Sequence, residues 1–283
     1  MGESSANAST SSPSSSYALG STDAEHERLA RQAALLAPST ERLFREAGIG
    51  PGQRVLDIGS GVGDVAMLLG RLVGSSGEVV GIERDPRSVA RARARVTDAG
   101  LSQVSFTECD ASGVECGQPF DAVVGRLILQ FLPSPVAVLR RVHQVVRPGG
   151  IIAFQEISYT PILALSARLP LWSAVASLAH DTMRSCGADT EIGLALHHMF
   201  PEAGFSPPMM RMEILLGSDP EFTRWIYDLV CSLRPQMRER SGALEALGDF
   251  NTLPQRLQAE VAAAHAVVPF VALVGAWSRK PDV

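Results

Sequence analysis

Between residues 50 and 158, short apolar runs of strand length alternate with stretches whose apolar positions recur at helical spacing. That alternation is the signature of parallel α/β architecture. "RVLDIG", "EVVGIE", "VSFTEC", "FDAVVGRLIL" and "GIIAFQEI" read as five successive strands. "DVAMLLGRLVG", "PRSVARARARVTDAG" and "SPVAVLRRVHQVV" read as the helices between them. Ahead of this block, Thr22 and Glu25 stand at capping-box spacing and open a first helix through "ALLAPS". A second short helix, "STERLFREAGI", is expected to stop at Gly48.

After residue 160 the text becomes mostly helical, in "LPLWSAVASLAHDTMRSC", "TEIGLALHHMFPEAG" and a block over roughly 219–266. Two strands interrupt or follow it, "PMMRMEILLG" and "FVALVGAWSR". The division expected is a disordered tail at 1–16, a helical cap at 17–48 and an α/β core at 49–160. Residues 161–218 are read as a cap insertion with a sixth strand, and 219–283 as a second insertion with the last strand. The helical blocks outside the alternation are assigned to a cap over the strand ends.

With 283 residues and 46% hydrophobic content, the chain can bury one full α/β core. Its formal net charge of -5 gives no general attraction to polyanions, so no nucleic-acid partner is expected. The arginines of "RSVARARARV" read as the solvated face of a helix. The serine-rich opening lacks the basic and apolar regions of a secretory signal, and no long apolar run suits a membrane. Cytoplasmic location is the expectation. Four cysteines without a C-x-x-C pair read as reduced, buried thiols, and no metal site is expected.

The segment "VLDIGSGVGD" follows the first strand and places Gly59, Gly61 and Gly63 at alternate positions. In an open parallel sheet this is where ligands bind, outside the carboxyl ends of the strands. The dinucleotide pattern G-x-G-x-x-G would need a third glycine at 64, where the chain has Asp64. A carboxylate opening the helix opposes a pyrophosphate on its amides. No Gly-Lys-Ser/Thr follows, so a P-loop is excluded. A ligand with an ammonium, a sulfonium and a ribose fits better: Asp57 can face positive charge, and Glu83 can accept from two ribose hydroxyls. S-adenosylmethionine has those parts.

The D-x-G-x-G-x-G run from Asp57 to Gly63 and the acidic end of strand two at Glu83 resemble the class I S-adenosylmethionine-dependent methyltransferases. "ECD", "FDAVVGRLILQFLPSP" and "VVRPGGIIAFQE" resemble the same family in its small-molecule branch, near the ubiquinone and menaquinone methyltransferases. The resemblance implies a Rossmann-like, mostly parallel seven-stranded sheet with an antiparallel last strand and helical cap insertions. It also implies residue roles. Asp57 and the backbone around Gly59 and Gly61 would hold the methionine moiety, with Glu83 on the ribose and Gly63 also in the cofactor site. Arg84 would flank the adenine, Asp110 beside Ala111 would accept from its amino group, and Gly125 and Arg126 would line the methionine end.

Methyl transfer is an in-line displacement that rests largely on positioning, so a base matters only when the nucleophile must lose a proton. His180 and Glu156 are the candidate catalytic residues. Tyr17, Tyr159, Trp172 and one of the adjacent pair His197 and His198 are candidates for the acceptor pocket. The apolar caps suit a small, aromatic secondary metabolite, methylated at carbon, nitrogen or oxygen, with indole-type carbon methylation among the options. Two other readings stand beside this: an NAD(P)-dependent oxidoreductase, and a non-catalytic subunit that keeps the fold to bind a partner. A homodimer stays open.

Overall fold

A computed structural model describes residues 23–114, 117–238 and 244–282. The serine-rich tail, Tyr17, Thr22 and Cys116 lie outside the described residues. Helix α1 (Asp23–Ala47) is one continuous helix with Pro38 inside it, where the sequence suggested two. Proline removes one intrahelical donor, but packing at both ends keeps the two halves in line. Leu43, Phe44 and Ala47 are buried against the sheet, and Arg31 is paired with Asp228 at 2.9 Å.

The core then runs β1 (Arg54–Ile58), α2 (Asp64–Val73), β2 (Glu78–Glu83), α3 (Pro86–Asp98), β3 (Val104–Glu108) and β4 (Phe120–Arg126). It continues through α4 (Pro135–Val145), β5 (Val146–Ser158), α5 (Thr160–Leu165), α6 (Pro170–Ser185), α7 (Ile192–Glu202) and β6 (Met209–Glu213). The last part comprises β7 (Leu216–Gly217), α8 (Pro220–Arg238), α9 (Leu253–Ala263), β8 (Val268–Pro269) and β9 (Ala272–Arg279). Seven strands pair in the order β3-β2-β1-β4-β5-β9-β6. Strand β9 is antiparallel to both neighbours, and β1 to β5 are mutually parallel. The fold is therefore the Rossmann-like, class I arrangement with an antiparallel last strand.

Three apolar clusters define the layers. One face of the sheet is covered by α2, α3 and the second half of α1. The other carries α4 and α7, with Phe154 edge-on to Phe200 at 6.4 Å. The third cluster joins α6, α8 and α9 to Ile157 near the end of β5 and Tyr159 just after it. Helix α7 was expected in the cap, yet it belongs to the sheet: Leu196, Met199 and Phe200 form its buried face. Gly193 permits that approach, since a Cβ there would lie 2.7 Å from the Ile157 carbonyl.

Strand β4 also ends earlier than its apolar run suggests. Leu127 takes a left-handed conformation, φ 56°, and a short 3-10 turn covers Leu129–Phe131. The buried Glu156 Oε1 accepts from the amides of Ile128 and Leu129, both at 2.9 Å, which turns the chain off the sheet. Cys186 and Cys231 are exposed, contrary to the buried thiols expected, because they sit at the end of α6 and on the outer side of α8.

Candidate functional site

The strand order reverses at β1, between β2 and β4, and the glycine loop leaves the sheet at that point. Register pairs Asp57 with Gly81 and Ile58 with Ile82, so the loop emerges beside Glu83. Gly59, Gly61 and Gly63 all have positive φ, of 68°, 52° and 89°. Their surroundings differ. A Cβ at Gly59 would lie 2.6 Å from Ile128 Cδ1, and one at Gly63 would lie 2.9 Å from Phe106 Cζ. At Gly61 it would meet nothing within 4 Å, because that position opens onto a cavity.

The cavity has a volume of about 610 Å³ and runs from the glycine loop toward α6 and α8. Its polar end is built from strand termini. Glu83 Oε2 accepts from the Gly61 amide at 3.1 Å and Oε1 from the Asp85 amide at 2.9 Å, so two backbone donors fix the carboxylate. Arg84, Asp110 and Ala111 line the same end. Both hydrogen bonds from Ser112 fall on Asp110 Oδ1, at 2.8 Å from its amide and 2.5 Å from its hydroxyl, and they lower the carboxyl's pKa. Asp64 is at the cavity too, but Arg95 pairs with it at 2.6 Å and offsets the charge that the sequence reading set against phosphate.

Helix α1 forms the roof. His26, Arg28, Leu29 and Gln32 line the cavity, and His26 Nε2 lies 3.4 Å from Ser88 Oγ on α3. The far end is apolar. Phe131, Ile157, Met183, Trp225, Leu229 and Phe270 line it together with Tyr159. Trp225 packs on Phe270 with ring centroids 4.6 Å apart.

Several expected site residues stand elsewhere. Asp57 is buried behind the loop, and its Oδ2 has no hydrogen-bond partner among the described residues. Burial raises its pKa to about 8, against the opposing charge of Arg126. Gly63 and Gly125 serve packing rather than the cavity; a Cβ at Gly125 would lie 2.4 Å from Phe154. Glu156 points to the α7 face of the sheet, outside the cavity lining; its Oε1 accepts from backbone amides, while its Oε2 is buried without a hydrogen-bond partner among the described residues. Burial raises its pKa to about 7.

His180 lies one layer back, stacked on Tyr159 at 4.9 Å, with Nε2 3.0 Å from Thr190 Oγ1. Burial lowers its pKa. Trp172 is fully buried in the helical cluster, and Trp225, edge-on to it at 6.2 Å, supplies the cavity wall instead. His197 and His198 are both exposed, because α7 turns its other face to the sheet. Tyr159, a candidate from the sequence, lines the cavity; Ile157 was discoverable beside it by alternation, since residues two apart in a strand share a face, and Glu156 belongs to the other one.

Residues 49–204 match the family profile described as a methyltransferase domain. The chain belongs to the class I S-adenosylmethionine-dependent methyltransferases. It is 32% identical over 131 residues to a ubiquinone/menaquinone biosynthesis C-methyltransferase of Cellvibrio japonicus, covering 44% of this chain and 53% of that one. It is 33% identical over 159 residues to a 2-phytyl-1,4-naphtoquinone methyltransferase of Synechococcus elongatus, covering 54% and 66%. The chain spans about half the length of the first of these relatives. A Haemonchus contortus phosphoethanolamine N-methyltransferase, solved with S-adenosylhomocysteine, shares the fold at TM-score 0.54 and 17% identity, over 86% of this chain and 52% of that one.

The methyl donor of the family is S-adenosylmethionine, and the polar end of this chain's cavity fits it. Open space at Gly61, a tethered Glu83 carboxylate and Asp110 at the next strand end meet the needs of a nucleoside with an uncharged ribose. Among the described residues no helix is long and apolar enough to cross a membrane.

Proposed function

We propose that this methyltransferase transfers a methyl group from S-adenosylmethionine to a small, lipophilic aromatic metabolite, at carbon, nitrogen or oxygen. The observation that carries the reading is the continuity of one cavity. Its polar end is formed by Gly61, Glu83 and Asp110, and its apolar end by Phe131, Ile157, Tyr159, Met183, Trp225 and Phe270. Pockets that orient small molecules combine an apolar lining with a few fixed polar groups, and their volumes span roughly 300–1,000 Å³.

On this reading Glu83 accepts from the ribose hydroxyls, Asp110 from the adenine amino group, and Arg126 faces the methionine carboxylate. S-adenosylmethionine supplies a methyl group on a sulfonium, transferred to a nucleophile in line. The chain's part is to hold the two reactants in that line and to exclude water. Tyr159 serves as a wall: its hydroxyl donates to the Ala176 carbonyl at 3.1 Å, and burial raises its pKa, so it is committed as a donor. Acceptors that are already nucleophilic, such as an electron-rich ring carbon or an amine, suit that lining.

Calorimetry with S-adenosylmethionine and S-adenosylhomocysteine tests the donor half, and labelled-methyl transfer to a panel of aromatic metabolites tests the acceptor half. Saturable binding that Glu83→Ala weakens by tenfold or more is expected. No binding, or binding indifferent to Glu83→Ala, refutes the assignment.

A further inference from the structure

Beneath the roof helix lies a chain of buried polar side chains that ends on Arg126. Arg126 and Gln155 are partners in the parallel register of β4 and β5, and Gln155 accepts the next amide, Leu127 N–H, on its carbonyl at 2.9 Å. Above them α1 lowers Ser39 and Thr40 toward the sheet. Thr40 Oγ1 lies 2.7 Å from Gln155 Oε1 and 3.0 Å from the Leu36 carbonyl, and Gln155 Nε2 donates to Ser39 Oγ at 3.2 Å. Arg126 Nη1 donates to Thr40 Oγ1 at 3.2 Å.

Ser39, Thr40 and Gln155 are all nearly inaccessible to solvent, at 3%, 0% and 2% exposure. Placing three polar side chains there is costly unless each is hydrogen-bonded, and a network that satisfies them all fixes one geometry. A hydroxyl has one hydrogen to give and two lone pairs to offer. With its hydrogen directed to Gln155 or Leu36, Thr40 presents a lone pair to Arg126. The guanidinium, with five donors, lines the cavity; Asp64 and Asp57 act on it through their charge, but neither forms a salt bridge with it among the described residues.

We infer that Thr40 and Gln155 are positioning residues which aim Arg126 at the methionine carboxylate, so that the seating of α1 and the grip on that carboxylate are one structural event. The inference rests on the functional reading above. It predicts a selective defect, because only ligands that carry the carboxylate sense Arg126.

The test is calorimetry with two ligands, S-adenosylhomocysteine and 5′-methylthioadenosine, which lacks the amino-acid end. Thr40→Val and Arg126→Ala should each weaken S-adenosylhomocysteine on the order of tenfold, the scale of one charge-assisted hydrogen bond, and leave 5′-methylthioadenosine unchanged. Thr40→Ser should keep wild-type affinity for both. Adding Thr40→Val to Arg126→Ala should cost nothing more, since the first acts through the second. Gln155→Leu supplies the same contrast if Thr40→Val fails to fold. Equal weakening of both ligands, or additive losses in the double variant, would overturn the inference while leaving the functional reading intact. Failure of the wild type to bind either ligand would overturn both.

Discussion

Tyr159 and His180 stack with ring centroids 4.9 Å apart and 24° between their planes, which puts the imidazole behind the cavity wall. The Tyr159 hydroxyl is tied to the Ala176 carbonyl, and His180 to Thr190, so the pair braces α6 against the chain leaving β5.

His180→Ala should therefore change kcat by less than about threefold and destabilise the fold by about 1 kcal/mol, the scale of one aromatic pair. Steady-state kinetics beside urea unfolding checks this. A hundredfold fall in kcat at unchanged stability would return the histidine to the chemistry.

Glu156 ties stability to pH. Its carboxyl is raised from 4.5 to about 7 by burial, so between those values the folded chain holds a proton that the unfolded chain releases. Stability then falls as pH rises through that window and is level above it. Glu156→Gln keeps an acceptor for the Ile128 and Leu129 amides but cannot ionise. Compared with wild type, its unfolding free energy should gain about 3 kcal/mol between pH 4.5 and 7. Denaturation at several pH values in that window measures the difference, and parallel curves for the two proteins would contradict it.

The loop glycines should separate binding from folding. Gly61→Ala projects its methyl into the cavity and should weaken S-adenosylhomocysteine at least tenfold, with a backbone cost of about 1 kcal/mol. Gly63→Ala meets Phe106 instead and should lower the melting temperature more than the affinity. Thermal melts with and without ligand distinguish the two.

Trp225→Ala removes cavity wall, whereas Trp172→Ala removes core. The first should alter the acceptor's KM and leave donor affinity unchanged. The second should cost roughly 3–5 kcal/mol of stability, as large core truncations do. Swapped outcomes would mean the apolar end has been assigned to the wrong helix face.

Much of the cavity's polar end was legible because its parts lie at strand ends, where local pattern fixes position: Gly61, Glu83, Arg84, Asp110, Ala111 and Arg126 all line the cavity. Asp57 stands one layer behind the cavity lining, a placement that alternation does not give, since it says which face a strand residue takes but not how a following loop folds over it. The acceptor end was less legible. Trp172 and Trp225 look alike as aromatics on amphipathic helices, and only the packing of α6 on α8 decides which one meets the cavity. Pro38 read as a stop because propensity is local, while the contacts that hold α1 straight come from the sheet and from Asp228, 197 residues away from Arg31.

The apolar end takes Trp225, Leu229 and Phe270 from the chain between β6 and β9, whereas the polar end comes from the turns that follow β1, β2 and β3. On the proposed reading, substitutions in that one stretch would reshape part of the acceptor wall and leave the donor's polar end in place. For an engineer, grafting a relative's segment between those two strands is the shortest route to a new acceptor range on an unchanged engine.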